Sequence, residues 1–360
     1  MPRWVIAFLF VFAGCMTTPS VNPPADIGFS VTGYHVWWLG SQWDEADVSL
    51  LDRLFIFEVQ IGIDGVVAND HAWPRRWVRL IETAKEHDVA VYPTLTLTSE
   101  AAFDSLFLNP VAVDQLIATS VDLVKAGEAD GLHVDFEVFQ EVDPAARAAF
   151  SDYLRRVKLN LLRADASYEL IVFLPAFDYP DAFDEVAIAQ ASDLLVIQGY
   201  DMHWAAAPRA GPVAPLGGWD GQNWEGILRR YANLNIPREK MLMAAPYYGY
   251  EWPTKSDSLG APTRGVGRTL PYASAYTPEG SDAGKGAVDM VVPEAIRRDT
   301  LSGSPYYTVY RDGGWWQGWF EDSTSLRLKY DYVRQEGLAG VAIFALGYDE
   351  GQLRSALWAE

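Results

Sequence analysis

Cysteine is almost missing from this 360-residue chain: Cys15 is the only one, which excludes a disulfide framework, a thiol nucleophile and a cysteine metal site in the remainder of the sequence. Histidine is scarce as well, with five residues that form no evident cluster. Positive charge is in short supply. The 28 Lys and Arg against 48 Asp and Glu give a net charge of -20, which repels phosphate backbones and argues against a nucleic-acid partner. Long apolar runs are lacking too, because the stretch from Trp4 to Phe12 is too brief to span a bilayer comfortably. No internal repeat or low-complexity tract is found. What remains is ordinary globular composition, 49% hydrophobic and 21% charged, with material for one large core or two smaller ones. Aromatic residues make up 13% of the chain and 14 residues are Trp, a supply for core packing and for stacking against flat ligand faces.

The N-terminus runs from Met1-Pro2-Arg3 through the apolar stretch into Ala13-Gly14-Cys15, followed by a polar Thr/Ser/Pro segment. This pattern is an export signal. Small residues just before a lone cysteine resemble the bacterial lipoprotein processing site, where the thiol is lipidated and becomes the mature N-terminus. The expectation is a signal peptide over residues 1–14 and a lipidated tether over 15–26, anchored to the membrane through Cys15. Met16 follows in place of an aspartate, which favours the outer membrane in a Gram-negative cell. The alternative is an ordinary cleaved signal with an incidental cysteine.

From Ile27 onward short apolar runs alternate with longer amphipathic ones, the pattern of βαβ units and a parallel sheet. Strands are expected near Phe29–Tyr34, Leu54–Ile61, Val89–Leu97, Gly131–Glu137, Glu169–Leu174, Leu194–Tyr200, Met241–Tyr247 and Gly340–Phe344. Helical patterns cover Trp77 to Glu86, Val111 to Lys125, Pro144 to Arg163, Asp184 to Gln190, Trp224 to Asn233 and Ser325 to Glu336. Asp143-Pro144 reads as a capped helix start with proline at the first position. Eight units fit a single α/β domain, a (β/α)8 TIM barrel over residues 27–360. A doubly wound open sheet is the rival. Residues at about 253–311, rich in Gly, Pro, Ser and Tyr, read as an insertion between strands 7 and 8.

The segment Asp130-Gly131-Leu132-His133-Val134-Asp135-Phe136-Glu137 is the most informative. On a strand His133, Asp135 and Glu137 share one face and Leu132, Val134 and Phe136 the other. In a parallel barrel the apolar set packs on helices and the polar set points inward, with Glu137 nearest the carboxyl end, where barrel active sites sit. Three ionisable groups inside a barrel are expensive to bury and seldom persist for packing alone.

This segment resembles the Asp-Gly-x-Asp-x-Asp-x-Glu pattern of glycoside hydrolase family 18, matched at Asp130, Gly131, Asp135 and Glu137. Gln198-Gly199-Tyr200-Asp201 is similar to the family's sixth strand, Ala245-Pro246-Tyr247-Tyr248-Gly249 to its seventh, and Ser325 to Lys329 with Gly340 to Asp349 to its last helix and strand. The resemblance implies retaining hydrolysis without an enzymatic nucleophile, in which the 2-acetamido oxygen of an N-acetylhexosamine-containing glycan attacks its own anomeric carbon. Glu137 would be general acid and base, with a pKa raised by its neighbour Asp135. Asp135 would bind the acetamide N–H, and Tyr200 and Asp201 would hold the acetamide and water in line. Tyr34, Trp37, Tyr247, Trp252 and Phe344 are the candidates for substrate binding. Trp38, Trp204, Trp315 and Trp316 also lie near strand ends or in the late insertion. No cofactor or metal is implied, and a monomer is expected.

Three departures matter. His133 stands where the family most often has an aspartate, and a hydrogen bond from it to Asp135 is expected, with an altered pH profile. Phe344 replaces the usual tryptophan under the sugar. The third strand, Pro93 to Thr98, lacks the Ser-x-Gly-Gly motif of typical chitinases, so peptidoglycan, chitin oligosaccharides and N-glycan cores all stay open as substrates. Two other functions stay open: a glycan-binding lectin on the same barrel, and a metal-dependent hydrolase using His133, Asp135 and Glu137, with His203.

Overall fold

The computed structural model describes residues 28–41, 43–273 and 285–357; the signal segment, Cys15 and the tether lie outside the described residues. Eight parallel strands carry the fold: β1 Ser30–Val36, β2 Arg53–Ile61, β3 Ala90–Leu97, β4 Gly131–Phe136, β5 Glu169–Leu174, β6 Leu194–Gln198, β7 Met241–Pro246 and β8 Gly340–Phe344. Each pairs with the next in chain order, and β8 pairs back onto β1. That closure makes the (β/α)8 barrel and excludes the open sheet. Among the described residues eight α-helices surround it: α1 Glu45–Val48, α2 Val78–Glu86, α3 Glu100–Phe107, α4 Pro110–Ala126, α5 Pro144–Ala164, α6 Glu185–Ala191, α7 Trp224–Asn233 and α8 Ser323–Gln335.

Strand alternation divides the core in two. Leu132, Val134, Leu170, Val172, Met243 and Val341 face the helices in the large outer cluster, while Tyr34, Phe55, Tyr92, Ile171, Val196 and Leu242 fill the barrel. The lower end is plugged by Arg53, which donates from Nε to Glu169 at 3.0 Å, with Tyr92 donating to the same carboxylate. α5 starts as its sequence indicates, with the Asp143 carboxylate accepting the Ala145 N–H at 2.7 Å and Pro144 in the first turn. The sequence marked no helix at α3. It is short, capped by Ser99, and buries Phe103, Leu106 and Phe107.

The interruption after β7 is a sheet rather than a loop. Tyr248–Thr254, Arg268–Pro271, Arg297–Arg298, Pro305–Arg311 and Gly314–Trp319 form five antiparallel strands, and these strands span Tyr248 to Trp319 rather than 253–311. Trp252 and Trp319 are fully buried at its base, and Glu251, also buried, accepts the Tyr307 hydroxyl at 2.7 Å. Period-2 patterning was masked because aromatic residues occupy both faces of these strands.

Candidate active site

β4 is tied down at its lower end and carries the candidate acids at its upper one. Gly131 sits so close to β5 that a Cβ would lie 2.1 Å from the Glu169 carbonyl oxygen, and the Asp130 carboxylate accepts the Val91 N–H at 2.7 Å. Alternation then carries His133, Asp135 and Glu137 inward. His133 is fully buried and stacks on Phe55 at 4.2 Å. Its Nδ1 lies 3.2 Å from the Ile171 carbonyl oxygen and its Nε2 2.8 Å from the Tyr34 hydroxyl. A carbonyl only accepts, so Nδ1 carries the proton and Nε2 accepts from Tyr34. Burial pushes the imidazole pKa down to about 3. The expected hydrogen bond from His133 to Asp135 is therefore corrected: Asp135 Oδ2 lies 3.9 Å from Nε2, and that nitrogen has no proton to give.

Asp135 is buried, and its Oδ1 has no hydrogen-bond partner among the described residues. Burial pushes its pKa well up, helped by the charges of Glu137 and Glu58. Glu137, at the mouth, is raised to about 7 by burial and then by Asp201 and Glu58. Repulsion between Asp135 and Glu137 belongs to the pair, which holds its protons far above the usual carboxylate range. Asp201, just past β6, adopts a left-handed backbone with φ 62°, a conformation aspartate tolerates. Its Oδ1 accepts from the Tyr248 hydroxyl at 2.7 Å and the Tyr250 hydroxyl at 3.1 Å. Burial raises the Asp201 pKa, and these two donors oppose the rise. The Tyr200 hydroxyl is held protonated by burial and by the surrounding carboxylates of Glu137, Asp135 and Asp201. Glu137, Asp135, Tyr200 and Asp201 thus converge at the carboxyl end of the barrel.

Residues 80–349 match the family model described as glycosyl hydrolases family 18. The chain belongs to glycosyl hydrolase family 18. Among curated relatives, the cortical fragment-lytic enzyme of Bacillus anthracis is 25% identical over 289 residues, covering 74% of this chain and 60% of the relative. The di-N-acetylchitobiase of Mus musculus is 25% identical over 259 residues, 66% of each chain. The chain thus spans about 60% of the length of the cortical fragment-lytic relatives. A family 18 N-acetylglucosaminidase from Paenibacillus barengoltzii superposes with a TM-score of 0.78 at 18% identity, over 92% of this chain and 99% of that one. The spore cortex-lytic enzyme SleL of Bacillus cereus gives 0.71 at 19% identity, covering 92% and 74%. Both structures share the barrel.

Within this family 18 barrel the aromatic candidates fall into two sets. Phe344, half-buried at the end of β8, sits 5.4 Å from Tyr34, 5.7 Å from Phe57 and 6.1 Å from Tyr200, ring centre to ring centre. Trp37 follows β1 directly and stacks face to face on His71 at 4.3 Å. These two line the mouth. Tyr34 does not reach it: the residue is 1% exposed and its hydroxyl is spent on His133. Tyr247 belongs to the outer core, beside Tyr330 and Asp349. Trp252 is fully buried in the insertion, donating to the Trp204 and Ala205 carbonyl oxygens at 3.2 and 3.1 Å. The structure therefore does not bring Tyr34, Tyr247 or Trp252 to the cleft surface. Among the described residues no group of three His, Cys, Asp or Glu side chains is arranged to hold a metal; His203 is held by the Pro212 carbonyl oxygen instead. A separate open depression of about 570 Å³ between α4 and α5, lined by Asp114, Lys125 and Arg156, lies on the outer wall.

Sequence reasoning missed three contributors. Tyr248 and Tyr250 come from the insertion, and Glu58 comes from β2. A glutamate inside the apolar run Leu54–Ile61 was the available signal for Glu58.

Proposed function

We propose that this family 18 barrel is a retaining hydrolase of β-linked N-acetylglucosamine-containing glycans, acting by substrate-assisted catalysis. The observation that supports it most is a half-buried carboxyl, Glu137, whose pKa of about 7 keeps a proton on it near neutrality, beside a buried Asp135 with one unpartnered oxygen. In the first step Glu137 gives its proton to the leaving oxygen as the glycosidic bond breaks, and the substrate's acetamide oxygen bonds to the anomeric carbon. Asp135 Oδ1 accepts the acetamide N–H, and the Tyr200 hydroxyl donates to the acetamide oxygen. Asp201, fixed by Tyr248 and Tyr250, keeps that oxygen and the incoming water in line. In the second step water attacks the anomeric carbon, Glu137 takes its proton, and configuration is retained. Phe344 offers the sugar an aromatic floor, and Trp37 on His71 extends it.

Cell-wall glycan is the substrate we favour, a choice supported by the cortical fragment-lytic relatives and by the lipoprotein-like N-terminus. On the same ground we propose an envelope location with an acylated Cys15 as the anchor; metabolic labelling with a fatty-acid analogue should mark the wild type and not Cys15→Ser. The deciding experiment is release of a reporter from chitobiose- and chitotriose-type glycosides, with product anomers resolved by NMR. Release with retained configuration, reduced about a hundredfold or more in Glu137→Gln, is the expected outcome. Absence of turnover on these glycosides and on peptidoglycan, with oligosaccharide binding intact, would favour the lectin.

A further inference from the structure

Beyond the four residues of the proposed mechanism, a further carboxyl side chain faces the acid pair. β2 carries an irregularity between Phe57 and Val59, where its register against β3 shifts by one. Glu58 is the residue at the shift, and its side chain turns to the barrel mouth with 11% of its surface exposed. Its Oε2 accepts the Thr96 hydroxyl at 2.6 Å and its Oε1 the Gln60 amide at 3.1 Å. Thr96 in turn is the register partner of Asp135. The Glu58 carboxyl is thus anchored two strands from Asp135, through the Thr96 side chain on the strand between them.

We propose that Glu58 is a positioning residue of the reaction, a third carboxylate fixed against Asp135 and Glu137 that keeps this acid pair in its proton-bearing form. Two hydrogen bonds hold it at that post. Among the described residues no Lys or Arg pairs with it: His71 Nε2 is 3.9 Å from Oε1, but that nitrogen is already engaged by the Asn69 amide at 3.2 Å. Burial, with the nearby Arg76 guanidinium, holds the His71 pKa down. The other groups facing the pair are His133 on β4, a neutral ring whose pKa burial lowers to about 3, Asp201 and Tyr200 after β6, Tyr34 on β1, and Tyr248 and Tyr250 from the insertion, none of them cationic. Glu58 accordingly contributes to the upward shift of both Asp135 and Glu137. The polar wall it forms with Gln60 and Thr96 costs buried charge that packing alone does not require.

This inference rests on Glu137 being the acid, so the test separates the two. Profiles of kcat/KM against pH are measured on a chitobiose-type reporter for the wild type, Glu58→Gln, Glu58→Asp and Glu137→Gln. Removing a neighbouring anion makes the pair easier to ionise, so Glu58→Gln should move the alkaline limb to lower pH by about half a unit or more. KM in the pH-independent region should change less than twofold, and Glu58→Asp should restore most of the limb. Should Glu58→Gln fail to fold, Glu58→Ala should move the limb in the same direction without burying an amide. A limb that coincides with the wild type, with kcat equal or uniformly reduced at every pH, overturns the role of Glu58 when Glu137→Gln is inactive. Wild-type turnover in Glu137→Gln overturns the acid assignment itself.

Discussion

Ionising Glu137 places a charge in a desolvated site that also faces Asp201 and Glu58, and it is chiefly this loss of water, with the two neighbouring carboxyl groups adding to it, that puts its pKa at about 7 rather than in the usual carboxylate range. In its proposed role as general acid it acts protonated, so kcat/KM should fall as pH rises through about 7, and stopped assays across that range check it. The same shift has a cost in stability. Between the ordinary value of 4.5 and about 7 the folded state binds more protons than the unfolded chain, so stability is lost as pH rises through this window. Glu137→Gln should therefore melt higher than wild type, with the difference small below pH 4.5 and widening up to about 7; thermal melts at several pH values read it. His133 behaves oppositely in role, because a neutral ring held by Ile171 and Tyr34 with a pKa near 3 contributes no inflection at working pH. Truncating it to Ala leaves the buried Tyr34 hydroxyl without its partner and unstacks Phe55, a loss on the order of 3 kcal/mol.

At the level of elements, α8 is joined to the end of the insertion by a fully buried ion pair. Lys329 donates to Glu321 at 2.6 Å, and Ser304 donates to the other carboxylate oxygen at 2.7 Å. Lys329→Ala would leave Glu321 charged and uncompensated, for a loss of about 3–5 kcal/mol, whereas replacing both partners by apolar residues of similar volume should cost far less. Denaturant titrations of the single and double variants separate the two cases. None of this pairing was legible in the sequence, because charges eight residues apart around a helix start give no sign that both are buried. The eight barrel strands were legible, since short apolar runs recur between amphipathic helices and the alternation within β4 puts its acids on one face. Glu58 was not. Strict alternation from Leu54 and Ile56 assigns it to the outer, helix-facing side, and only the register shift at Val59 turns it inward. Tyr248 and Tyr250 were hidden for a related reason: their hydroxyls reach Asp201 from a sheet whose strands pair antiparallel across more than 60 residues of chain, a pairing that local pattern does not encode. Tyr248→Phe with Tyr250→Phe strips Asp201 of both donors and should lower kcat by about tenfold or more, measured with the same reporter and with KM compared.

For the whole molecule the barrel's closure decides where chemistry sits, since every strand end from β1 to β8 opens on one face and the antiparallel sheet rises beside that face after β7. The molecule that carries this cleft has a net charge of -20, a field set by its whole surface rather than by Asp135 and Glu137, which hold protons in the cleft. A neutral chitooligosaccharide meets this field without penalty. A peptidoglycan fragment bearing carboxylates is repelled over roughly a Debye length, about 10 Å at 0.1 M salt and about 30 Å at 0.01 M. Raising salt from about 0.01 to about 0.1 M should therefore increase kcat/KM several-fold on the anionic fragment and leave it unchanged on the neutral one. The comparison uses one enzyme and two soluble substrates, so changes in stability with salt cancel in the ratio. An equal response of both substrates would mean that the field does not reach the encounter, and that recognition is decided by the stacking and hydrogen-bonding groups at the barrel mouth alone.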